Sequence, residues 1–177
     1  MGIFYISRYN EWMDILSHGL YGGVLVGRKS RKSFWLAFIF GLAPDLFSFG
    51  IFTASVWLGL TSGPDWKGPP DTSLIPHYVY ALYNVTHSLV IFAAAFIIVW
   101  LLRKKPLWEM FAWFFHVLLD IFTHSFRFFP TPFLWPVSDY RFDGWSWGTP
   151  EIFIPNLLVL FSLYGYWLYK RKNKRAL

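Results

Sequence analysis

The sequence predicts an all-α membrane protein, a polytopic helical bundle of about five spans forming one domain over residues 1–177. Two observations lead there. Hydrophobic residues make up 55% of the chain and charged residues only 15%, whereas soluble domains carry about 25% charged residues. The basic residues stand in short clusters beside apolar stretches, as they do at the ends of membrane helices.

Residues 1–11 read as a short amphipathic lead that lacks the basic region, apolar run and small-residue cleavage site of a removable signal peptide. Span one covers 12–27, short against the roughly 20 residues of a full crossing. Its Gly19, Gly22, Gly23 and Gly27 suit close helix packing. Span two covers 34–60 and is expected to break at Pro44, because proline lacks an N–H and disfavours helix in the residue before it. Broken backbone inside a membrane must be covered by protein or a polar cavity, and this break falls beside Asp45. A polar loop rich in proline and glycine follows at 61–75. Span three covers 76–102 and span four 106–129. A second proline-containing loop occupies 130–149. Span five covers 150–169, and a basic tail follows it.

Twelve of the sixteen basic residues fall in three clusters: Arg28 to Lys32, Arg103 to Lys105, and Lys170 to Arg175. All three lie on one side of a five-span chain. The positive-inside rule makes that side cytoplasmic. The chain then sits in the cell membrane with its N-terminus and the 61–75 and 130–149 loops outside and its C-terminus in the cytoplasm. The net charge of +6 is thus a topology signal, and no nucleic-acid partner is expected. The absence of cysteine excludes disulfides and thiolate ligands, so any metal must be held by nitrogen and oxygen.

The spans carry ionisable residues, which are costly in a membrane and mark sites and pathways. Span one holds Asp14 and His18, span two Asp45, span three His87, and span four His116, Asp120 and His124. At ~1.5 Å per residue from the basic end, His18, Asp45, His87 and the span-four stripe reach similar depths of ~14–26 Å. The stripe is ~12 Å long from His116 to His124, too long for one ion. His116 and Asp120 can chelate one metal, and Asp120 or His124 can reach a second. Asp14 is a candidate for a ligand-orienting role. Thr86, Ser88 and Thr123 lie near enough to orient ligands, and Glu109 is placed to pair with Lys104 and Lys105. The alternative for each intramembrane residue is a hydrogen-bonded structural contact between helices.

The segments Met13-Asp14-Ile15-Leu16-Ser17-His18, Ala43-Pro44-Asp45, Thr86-His87-Ser88 and His116-Val117-Leu118-Leu119-Asp120 occur in this order. The order resembles that of the membrane-bound metal-dependent hydrolases of the YdjM-like type, as does the later stretch 134–142. That family is distantly similar to zinc-dependent phospholipase C. The resemblance implies His18, Asp45, His87, His116, Asp120 and His124 as metal ligands, with Glu151 or Asp143 in place of a further ligand pair. Two departures stand out. Phe47 occupies the place of a second acid after Pro-Asp, and Tyr83 and Asn84 stand where an arginine often precedes Thr-His-Ser.

The expected function is hydrolysis of a phosphoester of a lipid head group or lipid phosphate, with membrane lipid as both substrate and surroundings. Two divalent ions, zinc first and manganese or magnesium next, would serve as cofactors. Asp45 and Asp120 are the catalytic carboxylates, Asp45 acting as ligand or as base. Arg127 and Arg141 are placed to bind the phosphate. The alternative function is transport of divalent metal or protons, which would need polar groups continuing toward the cytoplasm. The apolar run from Ile97 to Leu102 disfavours that.

Overall fold

The computed structural model describes residues 12–63, 72–127 and 129–173. The Asp14 side chain lies outside what is described. Seven α-helices follow one another: α1 (Trp12–Leu25), α2 (Arg31–Asp45), α3 (Ile51–Trp57), α4 (His77–Thr86), α5 (Leu89–Arg103), α6 (Phe111–Thr123) and α7 (Pro150–Asn173). No strand occurs among the described residues.

Among the described residues, two helices are long and apolar enough to cross a membrane: the 27-residue rod Arg31–Trp57 and the 24-residue α7. The pair α4 and α5 makes a third candidate if its 61° bend lies within one span. The remaining apolar helices are shorter. Over the described residues α1 has 14 residues and α6 has 13, or ~20 Å each at 1.5 Å per residue, against a hydrocarbon core of ~30 Å.

Pro44 does not break its helix as expected. α2 runs through Pro44 into a π-helical turn, Leu46–Gly50, and on into α3. The wider turn takes up the missing donor and the ring's bulk, a known use of a local π-bulge. The Ser48 hydroxyl satisfies the loosened backbone by donating to the Pro44 carbonyl at 2.9 Å and the Asp45 carbonyl at 3.3 Å. The true break lies in span three. His87 leaves the helix with φ −105° and ψ 24°, and Ser88 is extended. The Ser88 hydroxyl then caps α5 by accepting from the Val90 and Ile91 N–H groups, both at 3.1 Å.

α1, α2 and α6 pack against one another, and α4 leans on α2 and the π turn. The α1–α2 approach depends on glycine. A Cβ on Gly41 would stand 2.4 Å from the His18 carbonyl oxygen, and one on Gly22 would stand 2.6 Å from the Ala37 carbonyl oxygen. The long, exposed α7 is held to α1 by polar contacts. Tyr21 donates to Asn156 Oδ1 at 2.8 Å, Asn156 Nδ2 donates to Ser17 at 3.0 Å, and Tyr164 donates to the Leu20 carbonyl at 3.0 Å. Glu109 accepts from the Ser33 hydroxyl at 2.6 Å, which ties the turn before α6 to α2.

These contacts predict opposite outcomes for two glycine substitutions. Gly41→Ala should destabilise the detergent-solubilised protein by about 1–3 kcal/mol, because backbone blocks the new methyl. Gly165→Ala meets nothing within 4 Å and should be neutral or stabilising by up to ~1 kcal/mol. Thermal melting of both variants checks this.

Candidate metal centre

The cluster is built around Asp120, which lies three residues before the end of α6 and is fully buried. Its Oδ2 faces His116 Nε2 at 3.0 Å and His87 Nε2 at 3.3 Å. Its Oδ1 faces His18 Nε2 at 3.0 Å and His124 Nδ1 at 3.5 Å. Asp45 closes the other side, its Oδ1 standing 3.3 Å from His87 Nε2 and 3.7 Å from His116 Nε2. Asp45, His87, His116 and Asp120 each offer one atom to a group spanning no more than 4.8 Å. Five elements converge here: α1, the end of α2, the α4–α5 break, α6 and the segment after it.

Hydrogen bonds fix which imidazole atoms face the centre. His116 Nδ1 stands 2.7 Å from the Gly41 carbonyl oxygen. A carbonyl only accepts, so Nδ1 carries a proton, and in the neutral ring Nε2 presents a lone pair. His87 Nδ1 stands 3.2 Å from the Tyr83 carbonyl and 3.0 Å from Thr86 Oγ1. The Thr86 hydroxyl already donates to the Leu82 carbonyl at 2.9 Å, so it accepts from His87. Nε2 of His87 therefore also presents a lone pair. The two Nε2 atoms stand 3.1 Å apart, both directed at carboxylate oxygens.

Four electron-pair donors thus converge on one buried point. Neither oxygen of Asp120 makes a well-oriented hydrogen bond. A buried carboxylate facing neutral imidazole lone pairs is costly unless a cation lies between them. The donor set of two imidazole nitrogens and two carboxylates suits zinc and other borderline divalent ions. The imidazoles' other nitrogens are bonded to backbone or hydroxyl oxygen, the arrangement that orients metal-binding histidines. The residues fit a divalent metal.

Comparison with protein-family models, curated proteins and solved structures finds no match for this chain.

The six ligand candidates from the spans all stand in this cluster. His124 reaches it differently from the helical stripe expected. It lies one residue beyond α6 with extended backbone (φ −111°, ψ 136°), and this turn brings its Nδ1 back toward Asp120. Asp143 and Glu151 stand elsewhere. Asp143 Oδ1 accepts from the Phe126 N–H at 2.8 Å, and Glu151 is exposed in the first turn of α7. Arg127 is exposed and Arg141 partly buried. Of the expected orienting hydroxyls, Thr86 touches His87. Ser88 instead caps α5 and donates to the Trp135 carbonyl, and Thr123 bonds its own helix at the Leu119 carbonyl.

Sequence reasoning missed three contributors. Gly41 supplies the carbonyl that fixes the His116 tautomer. The Tyr83 ring stacks on His87, with centroids 3.8 Å apart. Trp147 lies edge-on to His18 at 5.6 Å. It arrives because the 130–149 loop folds back over the end of α6, where the Gly144 and Trp145 N–H groups each donate at 2.9 Å to the His124 and Phe122 carbonyls.

Asp120→Asn should remove bound metal from protein that still elutes as a folded species. Thr86→Val, which deletes one of the two acceptors on His87 Nδ1, should weaken metal affinity about 10-fold. Metal content after dialysis against graded chelator measures both.

Proposed function

We propose that this chain is a membrane-embedded metal-dependent hydrolase that cleaves a phosphoester of a lipid head group or lipid phosphate, in the manner of the YdjM-like hydrolases it resembles. The observation that supports this reading most is the two-sided environment of Asp120. Asp45, His87, His116 and Asp120 Oδ2 would hold one divalent ion. His18, His124 and Asp120 Oδ1 would hold a second, with Asp120 shared between them. Bound zinc, or manganese or magnesium, would polarise a phosphoryl oxygen and make water a competent nucleophile near neutral pH.

The chain's own residues divide the remaining work. Asp45 and His124 are the cluster members with side-chain exposure, 13% and 17%, so substrate and water meet the site on their side. Asp45 either completes the ligand set or takes the proton of the attacking water. Arg127 and Arg141 neutralise the phosphate. Phe47 and Phe126, two residues from Asp45 and His124, are 60% and 61% exposed. They offer apolar surface to acyl chains beside the reacting head group. Transport is the weaker reading, because the run from Ile97 to Leu102 is apolar, where an ion pathway requires polar groups.

Purified protein should release phosphate or a phosphorylated head group from some member of a panel of phospholipids and lipid phosphates supplied with zinc, manganese or magnesium. Asp120→Asn should abolish turnover together with metal. Arg141→Ala should keep the metal and lower kcat/KM about 10–100-fold, the weight of a charge-assisted hydrogen bond. Absence of cleavage, combined with Asp120-dependent metal flux in vesicles, replaces hydrolysis with transport. The proposed topology, with the N-terminus outside, is checked separately. A cysteine at Ser73 should react with an impermeant thiol reagent in intact cells, and one at Asn173 should not.

A further inference from the structure

A second concavity lies at the other end of the α1–α2 hairpin. Arg31 starts α2 and Asp45 ends it, so ~21 Å of helix separates this cavity from the metal cluster. Its volume is about 710 Å³, and its lining includes Arg28, Lys29, Arg31, Lys170 and Arg171 together with Phe34 and Trp167. The five cations come from two sequence segments about 140 residues apart. Among the described residues no carboxylate lines the cavity, and the nearby Glu109 is engaged by Ser33.

Basic residues at helix ends are ordinary in membrane proteins, since they set topology and suit a helix C-terminus. Those roles are met by charges dispersed in water. They do not require cations from two distant segments to enclose one space, where like charges repel. The amino end of α2, capped by Ser30, also lines this space and adds the positive end of a helix dipole. The floor is apolar: Phe34 and Trp167 stack with centroids 5.7 Å apart and planes 7° apart. Beyond it, α2 exposes Trp35 and Ile39, and α7 exposes Phe161 and Leu168.

We propose that this cavity binds the phosphate-bearing head group of an anionic membrane lipid, whose acyl chains lie along the exposed faces of α2 and α7. Five cations around roughly 700 Å³ suit a head group with more than one phosphate, since pockets of about 300–1,000 Å³ hold drug-sized ligands. Basic pockets between membrane helices bind such lipids. The apolar floor and flanks select a lipid over a soluble anion. The inference does not depend on the metal cluster.

Native mass spectrometry of the full detergent-solubilised chain tests it, with a two-phosphate lipid titrated against phosphatidylcholine. One two-phosphate lipid per chain should be retained where phosphatidylcholine is lost. The triple variant Arg31→Gln, Lys170→Gln, Arg171→Gln removes three exposed charges from the cavity and should require at least tenfold more lipid. It should keep the elution volume and metal content of the parent. The variant Arg103→Gln, Lys104→Gln, Lys105→Gln removes the same charge elsewhere and should stay within about twofold of the parent. Equal weakening by both variants, or no preference over phosphatidylcholine, overturns the proposal. Displacement of the lipid by equimolar pyrophosphate overturns it too, since that makes the cavity a soluble-anion site.

Discussion

A single buried carboxylate organises this molecule. Asp120 is removed from solvent on a short helix, and an uncompensated ion there costs several kcal/mol. Its two oxygens face imidazoles from α1, from the α4–α5 break, from α6 and from the segment after α6. His116 carries the constraint on to α2 through the Gly41 carbonyl. Moving any of these helices by an ångström or two would expose the charge or separate it from its counterparts. Their relative placement is therefore set by the electrostatics of one side chain as much as by apolar packing, which between membrane helices has no hydrophobic drive of its own.

Three members of the cluster sit where backbone regularity fails. His87 is the first residue beyond α4, His124 is the first beyond α6, and Asp45 stands at the entry to the π turn. Regular helices give side chains a fixed radial direction; a turn out of the helix lets an imidazole be aimed independently. Irregular backbone is costly in a membrane unless its polar groups find partners. Here Ser48, Ser88 and the Trp113 indole supply them, the last by donating to the Thr86 carbonyl at 2.5 Å. The deviations that aim the ligands are thus stabilised by neighbours that never touch the centre.

Much of this was legible beforehand, and the failures have physical causes. The spacing of His116 and Asp120 needs only helical geometry, and the shared depth of His18, Asp45 and His87 needs only a rise per residue. Each helical stretch stands near where hydropathy put it. Pro44 was misread because proline removes a donor without dictating how the helix responds, and a π turn is as good a response as a break. The bend at His87 carries no proline or glycine at all. It comes from tertiary contacts, with Leu89 donating to the Phe133 carbonyl at 2.9 Å and Ser88 bonding to Trp135. Gly41 was invisible as a site residue because its contribution is a backbone carbonyl, which every residue owns. Trp147 was invisible too, because composition does not reveal that a loop folds inward.

The short helices bear on where the chemistry can occur. Over the described residues, α1 and α6, which carry His18, His116 and Asp120, are too short to cross hydrocarbon alone. The rod Arg31–Trp57 and α7 have that length and expose apolar surface to lipid, only 28% and 11% of their apolar windows being buried. The long helices carry the short ones, and the short ones bring the polar cluster. Where α6 stops, the chain turns into the loop bearing Arg141, Asp143 and Trp147 rather than continuing through the bilayer. A cluster placed at such an end is covered by protein on the helix side and by a foldable loop on the other. Asp45 and His124 keep partial exposure there, 13% and 17%, and Phe47 and Phe126 leave apolar surface beside them. A fully spanning bundle with this cluster on regular helices would bury the same residues and leave them no such opening.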